Sequence, residues 1–423
     1  MINAARSNLT RGRREFIKLA LRSAGLATLG STGPAASASR LFGAELDDPA
    51  ASSLSKAYMF LDQMMDLYAK GLTLRLAQSY VNTDMLNLGT LGFTYDNDVM
   101  IMALLERGLS NDLSRARVLG NSLVYAQSHD PYADGRIRDG YDTDPFILSG
   151  GTVNIDYTYG QNGTATGNMA WTGMALCQLY HKTGASSYLN AAKSIASWVQ
   201  TNTYDTRGSG GYTAGLDSGY TAQLYKSTEH NIDLYAFFTM LASLTGNSQW
   251  ATDAQWALGF VESMWDSTDG HFWTGTGADG VTTNYYPVPE DCQSWSYLAL
   301  KNSTYAGSID WAYANLAATD GSFSGVSFSN ADTTGVWFEG TTHMAAAFRA
   351  RNRSGDLTKA KAFLQTVQLA QTTALNNDGL GIDAASKDGL QTGFGYDYYA
   401  ALHVGATGWY CIADQGGNPL LLK

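Results

Sequence analysis

The 423-residue chain predicts an all-α fold: twelve helices in two concentric rings, with long loops gathered on one face. Three observations carry this. Six apolar helical segments recur, beginning near Tyr95, Asn168, His230, Cys292, Phe338 and His403, and such a period marks a repeat architecture. Six further segments of helical periodicity alternate with them and carry charge on one face. Finally, the connections between the two sets are short in one direction and long in the other.

Taken in order, the N-terminus stands apart. Arg13-Arg14-Glu15-Phe16-Ile17-Lys18 leads into an apolar run from Leu19 to Leu29, and Ala36-Ser37-Ala38 offers a small-residue cleavage site. Residues 1–38 therefore read as a twin-arginine signal peptide, which implies periplasmic or secreted work. Removing them takes away six basic residues and one acid, so the net charge moves from −11 to −16. Residues 39–52 continue a Ser/Ala/Gly-rich linker, and 53–423 form one domain.

Leu54–Lys70, Leu113–Gln127, Tyr188–Gln200, Trp250–Trp265, Ile309–Ala318 and Leu357–Gln371 are the amphipathic, outer set. Segments such as Met169–Tyr180 and Leu234–Leu244 are almost uncharged, as buried inner helices should be. Inner-to-outer links are short, as at Thr183–Ser187, Gly246–Gln249 and Gly355–Asp356. Outer-to-inner links are long, as at His129–Gly167, Asn202–Thr228 and Asp266–Pro289. Long irregular connections in a compact domain are usually functional. All of them lead into inner-helix N-termini, so one face of the ring is the working face.

The six-fold alternation, with openings such as Thr94-Tyr95-Asp96-Asn97, Asp291-Cys292-Gln293-Ser294-Trp295 and Trp337-Phe338-Glu339-Gly340-Thr341, resembles the (α/α)6 toroid of the six-hairpin glycosidase-like superfamily. The resemblance covers roughly Leu54 to Leu422. It implies carbohydrate chemistry, by hydrolysis, elimination or epimerisation, with carboxylates or His and Tyr residues at the mouth.

Glycoside hydrolysis usually needs two carboxylates, one donating a proton and one acting as base or nucleophile. Acids cluster at inner-helix starts: Asp96 and Asp98, Glu229 and Asp233, Glu290 and Asp291, Glu339, and Asp397. Glu229, Glu339, Glu290, Asp96, Asp233 and Asp291 are the catalytic candidates. The plain alternative for each is capping and helix-dipole stabilisation, and for Glu229 a pairing with Lys226. Glu229 and Asp233, four apart, share a helix face. Asp96 and Asp98, two apart, do not, and Asp96 is the one expected at the mouth. His230, Asn231, Tyr95, Trp337, His343, Tyr396, Asp397, Tyr285 and Tyr159 are the substrate-binding candidates, because flat rings with polar edges stack on sugars. Trp171, Trp295 and Trp409, inside inner helices, read as core.

His230, His343 and His403 each stand near an inner-helix start but lack compact metal-ligand spacing, so neither a metal nor a cofactor is expected. Asp266-Ser267-Thr268-Asp269-Gly270 reads as a turn. Cys177, Cys292 and Cys411 sit in apolar helical patterns as buried thiols. An acidic surface excludes nucleic acid and anionic lipid as partners. No stretch after the leader reaches a membrane span, and a monomer is expected. The leading reading is an exported glycoside hydrolase acting on a neutral or weakly charged polysaccharide or oligosaccharide. A polysaccharide lyase or sugar epimerase using His230, His403 and a Tyr remains open, as does a non-catalytic glycan-binding or envelope assembly protein.

Overall fold

The computed structural model describes residues 52–423. The export signal read in residues 1–38, and the linker up to residue 51, lie outside the described residues. Twelve α-helices follow in order: α1 (Ser53–Met65), α2 (Thr94–Arg107), α3 (Ser110–Ser128), α4 (Thr166–Thr183), α5 (Ser186–Thr203), α6 (Thr228–Thr245), α7 (Ser248–Ser263), α8 (Asp291–Leu300), α9 (Gly307–Asn315), α10 (Phe338–Arg351), α11 (Asp356–Thr373) and α12 (Val404–Asp414). The even-numbered helices are the inner ring. Each packs on the next, and α12 packs on α2 to close the circle.

Inner helices stop sharply. Gly108, Gly184 and Gly246 take left-handed φ of 67–69° at the C-caps of α2, α4 and α6, a conformation glycine adopts without strain. Lys301 and Asn352 do the same after α8 and α10. Each stop turns the chain straight into its outer partner. Among the described residues no helix follows α12, and α1 packs on it as the outer partner. There the Ser53 and Tyr410 hydroxyls lie 2.8 Å apart, and Gln371 Nε2 donates to the Ser53 carbonyl at 3.0 Å.

The long links hold short strands that the all-helical pattern did not predict. The expected outer helix Ile309–Ala318 ends at Asn315, because Ala317–Asp320 pairs with Phe323–Val326 in a hairpin. More important is a pairing that runs around the whole mouth. Just before each inner helix, the chain bridges to the next link: Leu91–Phe93 with Gly140–Asp142, Thr164–Ala165 with Gly215–Leu216, Ser227 with Gly275, Pro289 with Ser329, Trp337 with Ala385, and His403 with Tyr80. One hydrogen bond repeats at all six places. The N–H groups of Thr94, Thr166, Thr228, Glu290, Phe338 and Val404 donate to the carbonyls of Asp139, Ala214, Thr274, Phe328, Ala384 and Ser79, at 2.9–3.1 Å. These are first-turn donors with no partner inside their own helix. The neighbouring link satisfies each one, and the result is a closed collar.

Among the described residues no helix is long and apolar enough to cross a membrane. All three cysteines are buried free thiols.

Close packing of the inner ring is testable at glycine. A Cβ on Gly173 of α4 would lie 2.3 Å from the Phe237 ring of α6, whereas one on Gly259 of α7 would meet nothing within 4 Å. Gly173→Ala is expected to cost about 1–3 kcal/mol through overpacking. Gly259→Ala should instead gain about 0.5–1 kcal/mol from helix propensity. Urea unfolding followed by circular dichroism reads both.

Candidate functional site

The collar sets a common register for the six inner helices. Counting its donor as position one, position four points back to the helix's own incoming link. There Asn97 and Asn231 clamp the main chain of Ala77 and Tyr212, and Gln293 clamps Phe272, each with an amide that both accepts and donates. Thr341, Thr407 and Met169 accept from the N–H groups of Val326, Ile382 and Ile137 at the same position. Asn231, a substrate-binding candidate in the sequence, thus has its amide engaged by the frame. Its second amide hydrogen bond, to the Ser227 carbonyl, completes its engagement.

Positions two and six, four apart, share another helix face. Position two holds Tyr95, Gly167, Glu229, Asp291, Glu339 and Gly405; position six holds Val99, Trp171, Asp233, Trp295, His343 and Trp409. Their contacts run across the ring. Trp171, Trp295 and Trp409 touch one another with centroids 5.0–5.9 Å apart, as the core reading expected. Trp409 Nε1–H donates to the Tyr95 hydroxyl at 2.7 Å, and Tyr95 donates to Glu339 Oε1 at 2.7 Å. Glu339 also lies 3.6 Å from both His343 Nε2 and His403 Nδ1. His343 Nδ1 meets Glu290 Oε2 at 3.0 Å. His403 Nδ1 accepts the Ala406 N–H at 3.2 Å, which leaves the proton on Nε2 to donate to Asp96 Oδ2 at 3.1 Å. Tyr80 stacks on that imidazole at 4.1 Å and 8°. Four inner-helix starts thus bring together Tyr95, Asp96, Glu290, Glu339, His343 and His403, all buried.

Two expected residues converge beside this network. A Cβ on Gly167 would lie 2.6 Å from His230 Cδ2 and 3.4 Å from Asp233 Oδ2, so glycine there gives both side chains their room. Ser227, not Glu229, caps α6, accepting from the His230 N–H. Lys226 does not turn to Glu229. Its buried ammonium donates to the carbonyls of Arg207 and Gly210 at 2.6 and 2.7 Å, with Asp205 at 3.7 Å. Asp291 and Glu229 occupy positions equivalent to Glu339 and are buried. Asp98 points between helices, accepting from Thr172 at 2.8 Å.

The loop aromatics divide. Trp337 and Tyr396 are buried in an apolar cluster with Phe328, Phe394 and Tyr398, so they roof the network from the links. Trp337 stands edge-on to His343 at 5.2 Å. Asp397 pairs in a strand with Gln391 beside this roof. Tyr285 is 61% exposed and packs edge-on to Trp273 at 4.9 Å. Tyr159 is partly buried over Gly89.

Burial dominates the electrostatics. It holds the Glu290 carboxyl above the usual range, against the His343 hydrogen bond. Burial opposes charge on His343, but hydrogen bonds to Glu290 and Glu339 outweigh it and raise its pKa. Asp98 is held well above the usual range by burial. Asp139 escaped the sequence reading because an isolated loop acid has no periodicity to expose it. Its carboxylate accepts from the Ala165 N–H and from Asn168 Nδ2, both at 2.7 Å, and burial pushes it up to about 7.

Solved structures share this fold. D-mannose isomerase aligns with a TM-score of 0.61 at 13% identity, covering 85% of this chain and 95% of that one. A sugar epimerase from a ruminal bacterium aligns at 0.61 and 12%, covering 85% and 98%. A family 76 glycoside hydrolase from a bovine Bacteroides thetaiotaomicron strain aligns at 0.60 and 13%, covering 86% and 77%. No protein-family profile and no curated protein sequence matches the chain. The chain has the same (α/α)6 toroid fold as these structures.

Asp139 yields a pH test. Its folded pKa of about 7 lies above the ordinary 3.8, so its contribution to stability is complete below 3.8 and is lost as pH rises through 7. Asp139→Asn removes that dependence. The stability of wild type relative to the variant should fall by about 1 kcal/mol or more between about pH 4 and about pH 8. Chemical unfolding of both proteins across this range measures it.

Proposed function

We propose that the protein is a carbohydrate-active enzyme that hydrolyses glycosidic bonds in a neutral or weakly charged saccharide. The observation that supports it is the convergence of Asp96, Glu290 and Glu339 from three parts of the inner ring onto two histidines and one tyrosine. Glu290, its carboxyl raised by burial, is the proton donor to the leaving oxygen. Glu339, oriented by Tyr95 and flanked by both histidines, activates water or attacks the anomeric carbon. Asp96 orients His403. Glu229, Asp233, Asp291 and His230 complete the mouth, and Tyr285 offers an exposed stacking surface. The charge balance supports a neutral substrate: the buried cations of the links, Arg75, Arg136, Arg138 and Lys226, are tied to Asp66, Asp134, Asp130 and main-chain carbonyls, leaving the acids to repel a uronate. The twin-arginine pattern of residues 1–38 supports export of the mature enzyme.

A second reading has its own observation. The His403 imidazole is fixed in one tautomer by Asp96 and Ala406 and stacked on Tyr80, an arrangement suited to proton transfer at a sugar carbon. That chemistry is isomerisation or epimerisation, the activities named for two structural neighbours.

Incubation with a glycan panel in deuterated water, read by mass spectrometry, separates these readings. Shortened products with one added water support hydrolysis; deuterium gain without cleavage supports the second reading. Binding without turnover overturns both. For the hydrolase, Glu339→Gln and Glu290→Gln should each lower kcat by about 10²–10⁴-fold with the circular dichroism spectrum unchanged. Wild-type rates in either variant overturn its assigned role.

A further inference from the structure

The loop leading from α7 to α8 carries a constellation that the mouth chemistry does not use. Trp265-Asp266 pairs with His271-Phe272 in a tight hairpin, and the ladder sets Asp266 directly opposite His271. Cross-strand partners project to the same face. The turn closes as Asp266-Ser267-Thr268-Asp269-Gly270 promised: the Gly270 N–H donates to the Asp266 carbonyl, and the Thr268 N–H to Asp266 Oδ1, both at 2.8 Å. The fold then adds what the turn pattern alone did not contain. One ligand atom each from Asp266, Asp269 and His271 lies within 4.8 Å of the other two.

The histidine is the decisive member. His271 is only 2% exposed, and neither of its ring nitrogens has a hydrogen-bond partner. A buried polar group without a partner costs free energy that native proteins rarely leave uncompensated. Its ring is not free to turn away in search of one. Trp311 of α9 stacks on it at 4.5 Å and 18°, and Trp273 stands edge-on at 4.1 Å and 80°. A clamped imidazole facing two carboxylates is a donor set for a transition metal, because imidazole nitrogen suits Zn²⁺, Ni²⁺ and Cu²⁺ while Ca²⁺ and Mg²⁺ prefer oxygen alone.

We propose that Asp266, Asp269 and His271 bind a divalent transition-metal ion of the Zn²⁺ class on the rim of the mouth face. Bonds of about 2.1 Å to a tetrahedral ion place ligand atoms roughly 3.4 Å apart, so the three must draw together by at most about 1.4 Å from their limit of 4.8 Å. Asp269 is exposed and Asp266 half-buried, so their side chains supply that movement while His271 stays fixed. Water fills the fourth position. The ion's role is to brace the loop. Phe272, next to His271, exchanges both main-chain hydrogen bonds with the Gln293 amide of α8, at 2.8 and 2.9 Å. The Trp273 and Thr274 carbonyls accept from the Thr228 side chain and N–H at the start of α6. Metal on this hairpin therefore stiffens one of the six collar bonds, Thr228 to Thr274, and the position-four clamp of Gln293 on Phe272.

Titration of the chelator-treated full-length protein with Zn²⁺ in a calorimeter, and with Co²⁺ by visible absorption, tests the site. Wild type should bind one ion with micromolar affinity and show a raised Tm. His271→Gln and Asp269→Asn should each weaken that event at least about tenfold, or about 1.4 kcal/mol. Asp269 is exposed, so its variant folds even if the buried His271→Gln does not. Three results overturn the proposal: no binding by wild type, binding unchanged in Asp269→Asn, or Ca²⁺ binding in preference to Zn²⁺.

Discussion

One hydrogen bond, made six times, holds the working face of this protein in place. Each inner helix begins with a main-chain N–H that its own turns cannot satisfy, and each such group finds a carbonyl in the neighbouring link. The bond fixes where a helix starts and how it is rotated, because the next residues must continue from that point at 100° steps. Position two then faces the axis, position four the incoming link and position six the axis again, one turn deeper. Every contact in the Tyr95–Glu339–His343–Glu290 network depends on that shared register.

The network shows how a ring of nearly uncharged helices tolerates acids at its centre. Isolated, a buried carboxylate would be too costly; here each one has a hydrogen-bonded neighbour. Asp96 has His403, Glu290 has His343, and Glu339 has Tyr95. Trp295, Trp337 and Trp409 surround His343 with ring centroids at 5.1, 5.2 and 4.2 Å. They exclude water from the pair, a burial that opposes charge on His343, and the hydrogen bonds to Glu290 and Glu339 outweigh that cost. Stability and chemistry therefore draw on the same side chains, so conservative substitutions are needed to separate the two.

Much of this was legible in the sequence, for identifiable reasons. Helical periodicity marks the outer segments because they bury only one face, the inner segments stand out because burial on all sides leaves them almost uncharged, and the asymmetry of link lengths shows which ends share a face. Glu339, Glu290, Asp96, Tyr95 and His343 could be read as mouth residues because charges at the start of an apolar helix stand out. Rotation about the helix axis could not be read, since one residue of register decides whether a side chain faces the axis or the link. Asn231 illustrates this: a polar residue between His230 and Asp233 looks like part of a site in the sequence, and the fold turns it toward Tyr212. The pairing of Lys226 with Glu229, the plain alternative in the sequence, gives way to two loop carbonyls nineteen and sixteen residues away that sequence proximity conceals. The short strands were invisible, being two to four residues long and set in turn-rich links.

The sixth hairpin is assembled from the two ends of the domain, with α1 serving as outer partner to α12. Its seam, at Ser53, Tyr410 and Gln371, joins segments more than three hundred residues apart. α12, the last of the twelve described helices in chain order, carries Trp409 and is capped by His403, so the axial network stays incomplete until it docks. The ring also has no privileged starting point.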